Sequence, residues 1–223
     1  MHPWVARRWY DLTYSTTWAF LSVFASLRTN GRANMPKDGP ALLLANHASF
    51  LDPPMVGISA PRYISYMARK SLFAKKYLGG LITSLDAIPI EYKGFSREGL
   101  MATIERLERG KAVIMFPEGE RSHDGKMSEF KPGLLLLLKR VKCPIIPVGI
   151  AGTYHTWNRH MKRPSLCPVF MPPDERCLAV SIGKPIPPAV YGEWSRDELM
   201  GKLFEAVKAQ EGEAKKLQRK RRD

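Results

Sequence analysis

The chain is short of cysteine: Cys143, Cys167 and Cys177 are three in 223 residues. An odd number without metal-ligand spacing excludes a disulfide scaffold and a thiolate metal site, and reduced thiols in a cytosolic setting are expected. Long apolar runs are missing as well. The longest, WAFLSVFASL at residues 18–27, is about ten residues, against the ~18 or more that a membrane-spanning helix needs. Arg7 and Arg8 precede it, but the polar stretch 10–17 intervenes and no small-residue cleavage site follows, so an export signal is not expected. Internal repeats and low-complexity tracts are absent. With 44% hydrophobic and 25% charged residues the composition excludes a disordered, collagen-like or coiled-coil chain. Acidic residues are outnumbered, 21 against 35 Lys and Arg, which leaves a net charge of +14.

That excess of cations points to a polyanionic partner: nucleic acid, an anionic membrane surface, or an acidic carrier or substrate. The N-terminal segment favours the membrane. Trp4, Trp9, Tyr10, Tyr14 and Trp18 place five amphipathic rings in fifteen residues, beside Arg7, Arg8 and Arg28. Such rings prefer the membrane–water boundary, and cations meet anionic headgroups there. Residues 1–30 are therefore expected to form an interfacial helical segment. An ordinary helix packing its aromatic stripe on the domain is the competing expectation.

Residues 31–40, GRANMPKDGP, form a turn-rich connection to a domain at 31–223. Strands are predicted at 41–45, 62–68, 87–92, 112–116, 144–150 and 178–183. Helices are predicted from Ser96 to Gly110, over 133–141 (apolar almost all round, hence buried), and from Ser195, where Glu198 completes a capping box. The tail KKLQRKRR at 215–222 is predicted to be a solvated, disordered end. Strands alternating with helices define an α/β fold with a mixed, largely parallel sheet flanked by helices.

Two polar clusters follow predicted strands, where open α/β sheets place ligands. The first is Asn46-His47-Ala48-Ser49-Phe50-Leu51-Asp52-Pro53-Pro54. The prolines hold Asp52 and Pro53 away from the helical region, so a loop or single turn is predicted to fold Asp52 back to His47. A carboxylate on one imidazole nitrogen leaves the other as general base. The second is Phe116-Pro117-Glu118-Gly119-Glu120-Arg121-Ser122. Gly119 permits a tight turn or a close backbone approach. Arg121 offers a planar fork suited to phosphate, and Glu118 can accept a hydrogen bond from a substrate hydroxyl. Taken singly, Asp52 as a helix cap and a charged turn at 118–126 are the competing readings.

The blocks NHASFLD and FPEGERS, in this order, resemble the glycerolipid acyltransferase family, of which the 1-acylglycerol-3-phosphate acyltransferases are best known. MPKDGPALLLANHASFLDP, MARKSLF at 67–73, AIPIEY and FKPGLLLLLKRVKCPIIPVGI extend the resemblance over much of the chain. It implies acyl transfer from acyl-CoA or acyl-carrier protein to a lysophospholipid hydroxyl in phospholipid biosynthesis, on the cytoplasmic face of a membrane. His47 would be the base, Asp52 its orienting partner, and Glu118, Gly119 and Arg121 the acceptor's contacts. A thioester is already activated, so no metal or cofactor is expected, and no nucleic acid partner. Two positions depart from the family pattern. Tyr92 stands where the second motif carries Arg, with Lys93 beside it as a substitute point charge, and Glu120 stands where the third motif carries Thr. A basic nucleic-acid- or membrane-binding module and a Ser/His hydrolase using Ser49 or Ser122 are the alternatives. Neither serine sits in a G-x-S-x-G elbow.

Overall fold

In a computed structural model of the chain, residues 3–90 and 97–220 are described. Helix α1 (Pro3–Phe24) leads into a three-residue strand, β1 (Arg28–Asn30), and one 3-10 turn precedes β2 (Ala41–Ala45). Then follow α2 (Asp52–Ser59), β3 (Ile64–Arg69), α3 (Lys70–Phe73), α4 (Lys76–Ser84), β4 (Ile88–Ile90) and α5 (Arg97–Glu108). The order ends with β5 (Ala112–Met115), α6 (Gly133–Arg140), β6 (Ile145–Ala151), α7 (Thr153–Trp157), β7 (Ala179–Ile182), α8 (Pro188–Tyr191) and α9 (Arg196–Leu217).

The seven strands form one sheet in the order β1-β7-β6-β2-β5-β3-β4. The β6–β7 pair is antiparallel and the other pairs are parallel, which makes the sheet mixed and mostly parallel, as expected. Central β2 is buried at every position. A parallel strand covered on both faces is apolar on both, which is why ALLLA shows no alternation. Ala41, Leu43 and Ala45 pack with Leu21 of α1, with Ala25 just after it and with Val56 of α2. Leu42 and Leu44 pack on the other face with α5, α6 and α9. Each such leucine stabilises the fold by roughly 1.5–3 kcal/mol. Gly149 of β6 lets α9 lie on the sheet, because a Cβ there would come within 1.9 Å of the Gln210 carbonyl carbon.

Five features differ from expectation. Helix α2 starts at Asp52 and runs through Pro53 and Pro54, whose missing N–H groups cost nothing in a first turn. Helix α9 continues through Lys215 and Lys216 to Leu217, and the Arg219 guanidinium donates to the carbonyls of Val169 and Met171, so this part of the tail is docked. Strand β1 was hidden by its shortness and its polar sequence, RTN. Leu136 is 56% exposed, so α6 is one-sided, not buried all round. The aromatic set of α1 is divided: Trp9 and Trp18 are exposed, whereas Tyr14 packs against the core and its hydroxyl accepts from Arg32 at 2.8 Å. The expected cap at Ser96 lies outside the described residues, as do Glu91 and Tyr92 of the predicted strand 87–92.

Candidate active site

Pairing of Leu44 with Met115 brings β2 and β5 to an end side by side, so the chain leaves both at one edge of the sheet. His47 follows β2 by two residues, and its ring stacks on Phe116 with centroids 4.0 Å apart. Its Nδ1 lies 2.8 Å from Oδ2 of Asp52, which is fully buried. The same oxygen accepts the backbone N–H groups of Ala48 and Ser49, each at 2.7 Å. Two amides already donate to Oδ2, so it is an acceptor toward the ring too. That places the imidazole proton on Nδ1 and leaves Nε2 with a free lone pair. Asp52 thus orients the His47 ring instead of capping α2.

The second cluster holds the first in place. Glu118 is fully buried, and its Oε1 accepts the His47 N–H at 2.7 Å. Its Oε2 accepts from the Ser128 N–H at 2.8 Å and the Ser128 hydroxyl at 3.0 Å. The Ser122 N–H donates to the His47 carbonyl at 2.7 Å, so both peptide groups of His47 are fixed by the FPEGERS loop. Glu118 therefore faces protein donors, where sequence reasoning expected a substrate hydroxyl. Burial pushes its carboxyl up to about 7, against the pull of the hydrogen bonds from Ser128 and His47. Gly119 makes the turn with φ of 79°, and a Cβ there would press on the Lys131 side chain at 3.3 Å.

Arg121 is largely buried, its guanidinium carbon 3.6 Å above the Phe50 ring. A cation over a ring face in a part-desolvated setting is worth ~0.5–2 kcal/mol, so Phe50 helps fix the fork. Glu120 turns to Arg159, 3.3 Å away, and Arg159 also donates to the Arg121 carbonyl at 3.2 Å. The structure thus brings His47, Asp52, Glu118, Gly119 and Arg121 together. Lys93 lies outside the described residues. A cavity of about 410 Å³ lined by Leu135, Leu138, Tyr191 and Trp194 lies elsewhere, against α6 and α8, and holds none of these side chains.

Sequence reasoning missed three supports. Asn46 bridges to both backbone groups of Ile150, at 2.8 and 3.0 Å, and ties the end of β2 to β6. Its position just before His47 was a usable signal. Ser128 and Arg159 come from loops with no local pattern. The two hydrolase candidates are engaged otherwise. Ser49 is fully buried with its hydroxyl on the Trp157 carbonyl at 2.7 Å, and the Ser122 hydroxyl accepts the Gly125 N–H at 2.9 Å.

A mixed, mostly parallel α/β sheet thus presents a carboxylate-oriented histidine and an arginine-bearing loop at adjacent strand ends. The acyltransferase family profile matches residues 26–151, and the chain belongs to that family. It is similar to a chloroplastic 1-acyl-sn-glycerol-3-phosphate acyltransferase of Brassica napus, 26% identical over 162 residues that cover 68% of this chain and 47% of the relative. The 1-acyl-sn-glycerol-3-phosphate acyltransferase of Bacillus subtilis is 26% identical over 133 residues, 59% of this chain and 66% of that one. The chain thus spans about half to two thirds of the length of these curated relatives. Its fold matches the crystal structure of the 1-acyl-sn-glycerophosphate acyltransferase PlsC from Thermotoga maritima with a TM-score of 0.75. That match has 26% identity and covers 93% of this chain and 79% of that one.

Proposed function

We propose that the protein transfers a fatty acyl group from acyl-CoA or acyl-carrier protein to the free hydroxyl of a lysophospholipid, 1-acylglycerol-3-phosphate, in phospholipid biosynthesis. The observation that carries this is the 2.8 Å contact between His47 Nδ1 and a fully buried Asp52 that already accepts two backbone amides. His47 Nε2 takes the hydroxyl proton as the alkoxide oxygen bonds to the thioester carbonyl carbon. The tetrahedral intermediate then expels the thiolate, which receives the proton from the imidazolium. Asp52 stabilises that cation in between. Each step balances without metal or redox chemistry, because the thioester carbonyl is already activated.

Arg121 supplies a bidentate contact for the acceptor phosphate, Gly119 shapes the loop beside it, and Lys93 assists as a point charge. β4 runs parallel to β5 with β3 between them, so the two strands end on the same edge of the sheet. The enzyme works as a peripheral or monotopic protein on the cytoplasmic face of a membrane, with α1 in the interface plane. Among the described residues no helix is long and apolar enough to cross a membrane. The test is phosphatidic acid formation and thiol release by purified protein given each donor and a panel of lysolipids in vesicles. Absence of thiol release with every acceptor overturns the reading.

A further inference from the structure

Residues 167–177, CPVFMPPDERC, form an eleven-residue loop that closes on itself just before β7. The two ends meet at buried Cys167 and Cys177, whose sulfurs are 3.1 Å apart. Val169, Phe170 and Met171 form the tip and are all exposed, Phe170 at 72%. Three consecutive large apolar side chains left in water mark a contact surface. The tip is not loose. The Val169 N–H donates to the Val23 carbonyl at 2.8 Å, and the Ser26 hydroxyl donates to the Cys167 carbonyl at 2.8 Å, so the end of α1 grips it from one side. From the other side Arg219 donates to the carbonyls of Val169 and Met171, and the Gln218 side-chain amide to the Cys177 carbonyl at 2.6 Å. Prolines 168, 172 and 173 stiffen the remainder.

We infer that this tip is a second membrane-contact element, which enters an anionic bilayer together with the last two turns of α1. The inference rests on the membrane-surface part of the proposed function and adds a surface to it. Two observations select a bilayer as occupant. Phe20, Val23 and Phe24 lie on one face of α1, at i, i+3 and i+4, and are exposed next to the tip, so the apolar area is continuous across two segments distant in sequence. Arg219 is docked on the tip itself, and exposed Lys220 follows it in sequence, with Lys215 and Lys216 of the same chain end paired to Glu211 and Glu213, so this segment brings an excess of cations to meet lipid phosphates. The loop's own carboxylates are turned aside, Asp174 to Arg176 and Glu175 to His155. The carbonyls of Val169 and Met171 already have a donor, so the tip can enter the headgroup region without stranding them.

The test measures partitioning of the full chain onto vesicles of phosphatidylcholine with phosphatidylglycerol, at low and high salt. Phe170→Glu should lower the partition coefficient about tenfold, and the loss should persist at high salt because it is apolar in origin. Phe170→Leu should keep most of the binding. Leu136→Glu makes the same charge change at an exposed leucine of α6, on the other face of the sheet, and should leave binding unchanged. Turnover of a short-chain, water-dispersed acceptor should be the same in all variants. Equal binding by wild type and Phe170→Glu overturns the inference, as does an equal loss in Leu136→Glu. Loss of self-association in Phe170→Glu with vesicle binding intact also overturns it, by assigning the patch to a second copy of the chain. The vesicle pattern without acyl transfer would sink the enzymatic reading and leave this one standing, and the converse separates them the other way.

Discussion

At the ends of β2 and β5, polar side chains are buried and turned inward; at the β1–β7 edge, apolar side chains are turned outward. His47 has its ring nitrogen, N–H and carbonyl each bound by a different partner, Asp52, Glu118 and Ser122. Phe170 has only its neighbours' backbone fixed and presents its ring to solvent. The first arrangement depends on single directional bonds in a desolvated place, where each missing partner strands a buried group at ~1–3 kcal/mol. The second depends on summed area, which falls in proportion to what is removed. Substitutions at the site should therefore act in discrete steps, and those at the edge in graded ones.

The largest step belongs to His47. His47→Ala should lower kcat by about 10²–10⁴ while the fold persists, since removal of a general base has effects of that size. A folded variant with near-normal turnover would break the contrast at once. Asp52→Asn is more informative. The amides of Ala48 and Ser49 hold an oxygen at the Oδ2 position, so the new NH2 must occupy the position of Oδ1, which has no donor among the described residues. The histidine tautomer is then preserved and only the negative charge is lost. A drop of roughly 10- to 100-fold in kcat is expected, smaller than that caused by tautomer reversal. Steady-state kinetics with KM unchanged would support this, and a loss equal to that of His47→Ala would refute it.

Glu118 sharpens the contrast through pH. Its carboxyl is raised to about 7 in the fold, so the native state binds its proton more tightly than the unfolded chain does. The contribution of this group is most favourable below about 4.5 and declines as pH rises through about 7, by on the order of 3 kcal/mol. Glu118→Gln removes the titration. The thermal midpoint of wild type relative to this variant should fall between pH 5 and pH 8. At neutral pH the variant should itself lose ~1–3 kcal/mol, because its NH2 faces a donor at Ser128 or at His47. A difference in midpoint that does not move with pH would show that Glu118 does not titrate in this range.

The parts legible in the sequence are those written in local patterns. Strands 41–45 and 178–183 are short apolar runs between turn signals, the Ser195–Glu198 capping box forms, and the His47–Asp52 pair was visible from spacing plus position after a strand. Long-range partners leave no local trace. The direction in which Glu118 points depends on Ser128, ten residues away, and on His47, seventy-one residues away. The start of α2 at Asp52 overrode the proline preference because three donors converge on its carboxylate. The docked tail was misread because KKLQRKRR carries no sign of the carbonyls that Arg219 meets.

Arg121 and Glu120 are adjacent in sequence and fall on opposite sides of the comparison. Arg121→Lys should raise the KM for a phosphate-monoester acceptor about tenfold, since an ammonium supplies neither the parallel pair of hydrogen bonds nor the same contact over the Phe50 ring. Lys93→Arg should leave that KM the same or lower it. Acceptor kinetics that stay unchanged in Arg121→Lys for every anionic lysolipid would remove the headgroup assignment.

Glu120→Thr should have the smallest effect. The Glu120 side chain is 52% exposed, and its pairing with Arg159 at 3.3 Å is open to water and salt. Such pairs contribute ~0–1 kcal/mol, and Arg159 keeps its bond to the Arg121 carbonyl without it. Stability should therefore change by less than about 1 kcal/mol, and by less still at high ionic strength. The acceptor site gains slightly. An anion next to a phosphate is unfavourable, but one already neutralised by Arg159 and half in solvent adds little repulsion, so KM for the anionic acceptor should fall by no more than about threefold. A denaturant titration at two salt concentrations, beside acceptor kinetics, checks both numbers. A loss of several kcal/mol would mean that Glu120 belongs with the inward-turned residues, and that the boundary between the two kinds of region runs on the other side of it.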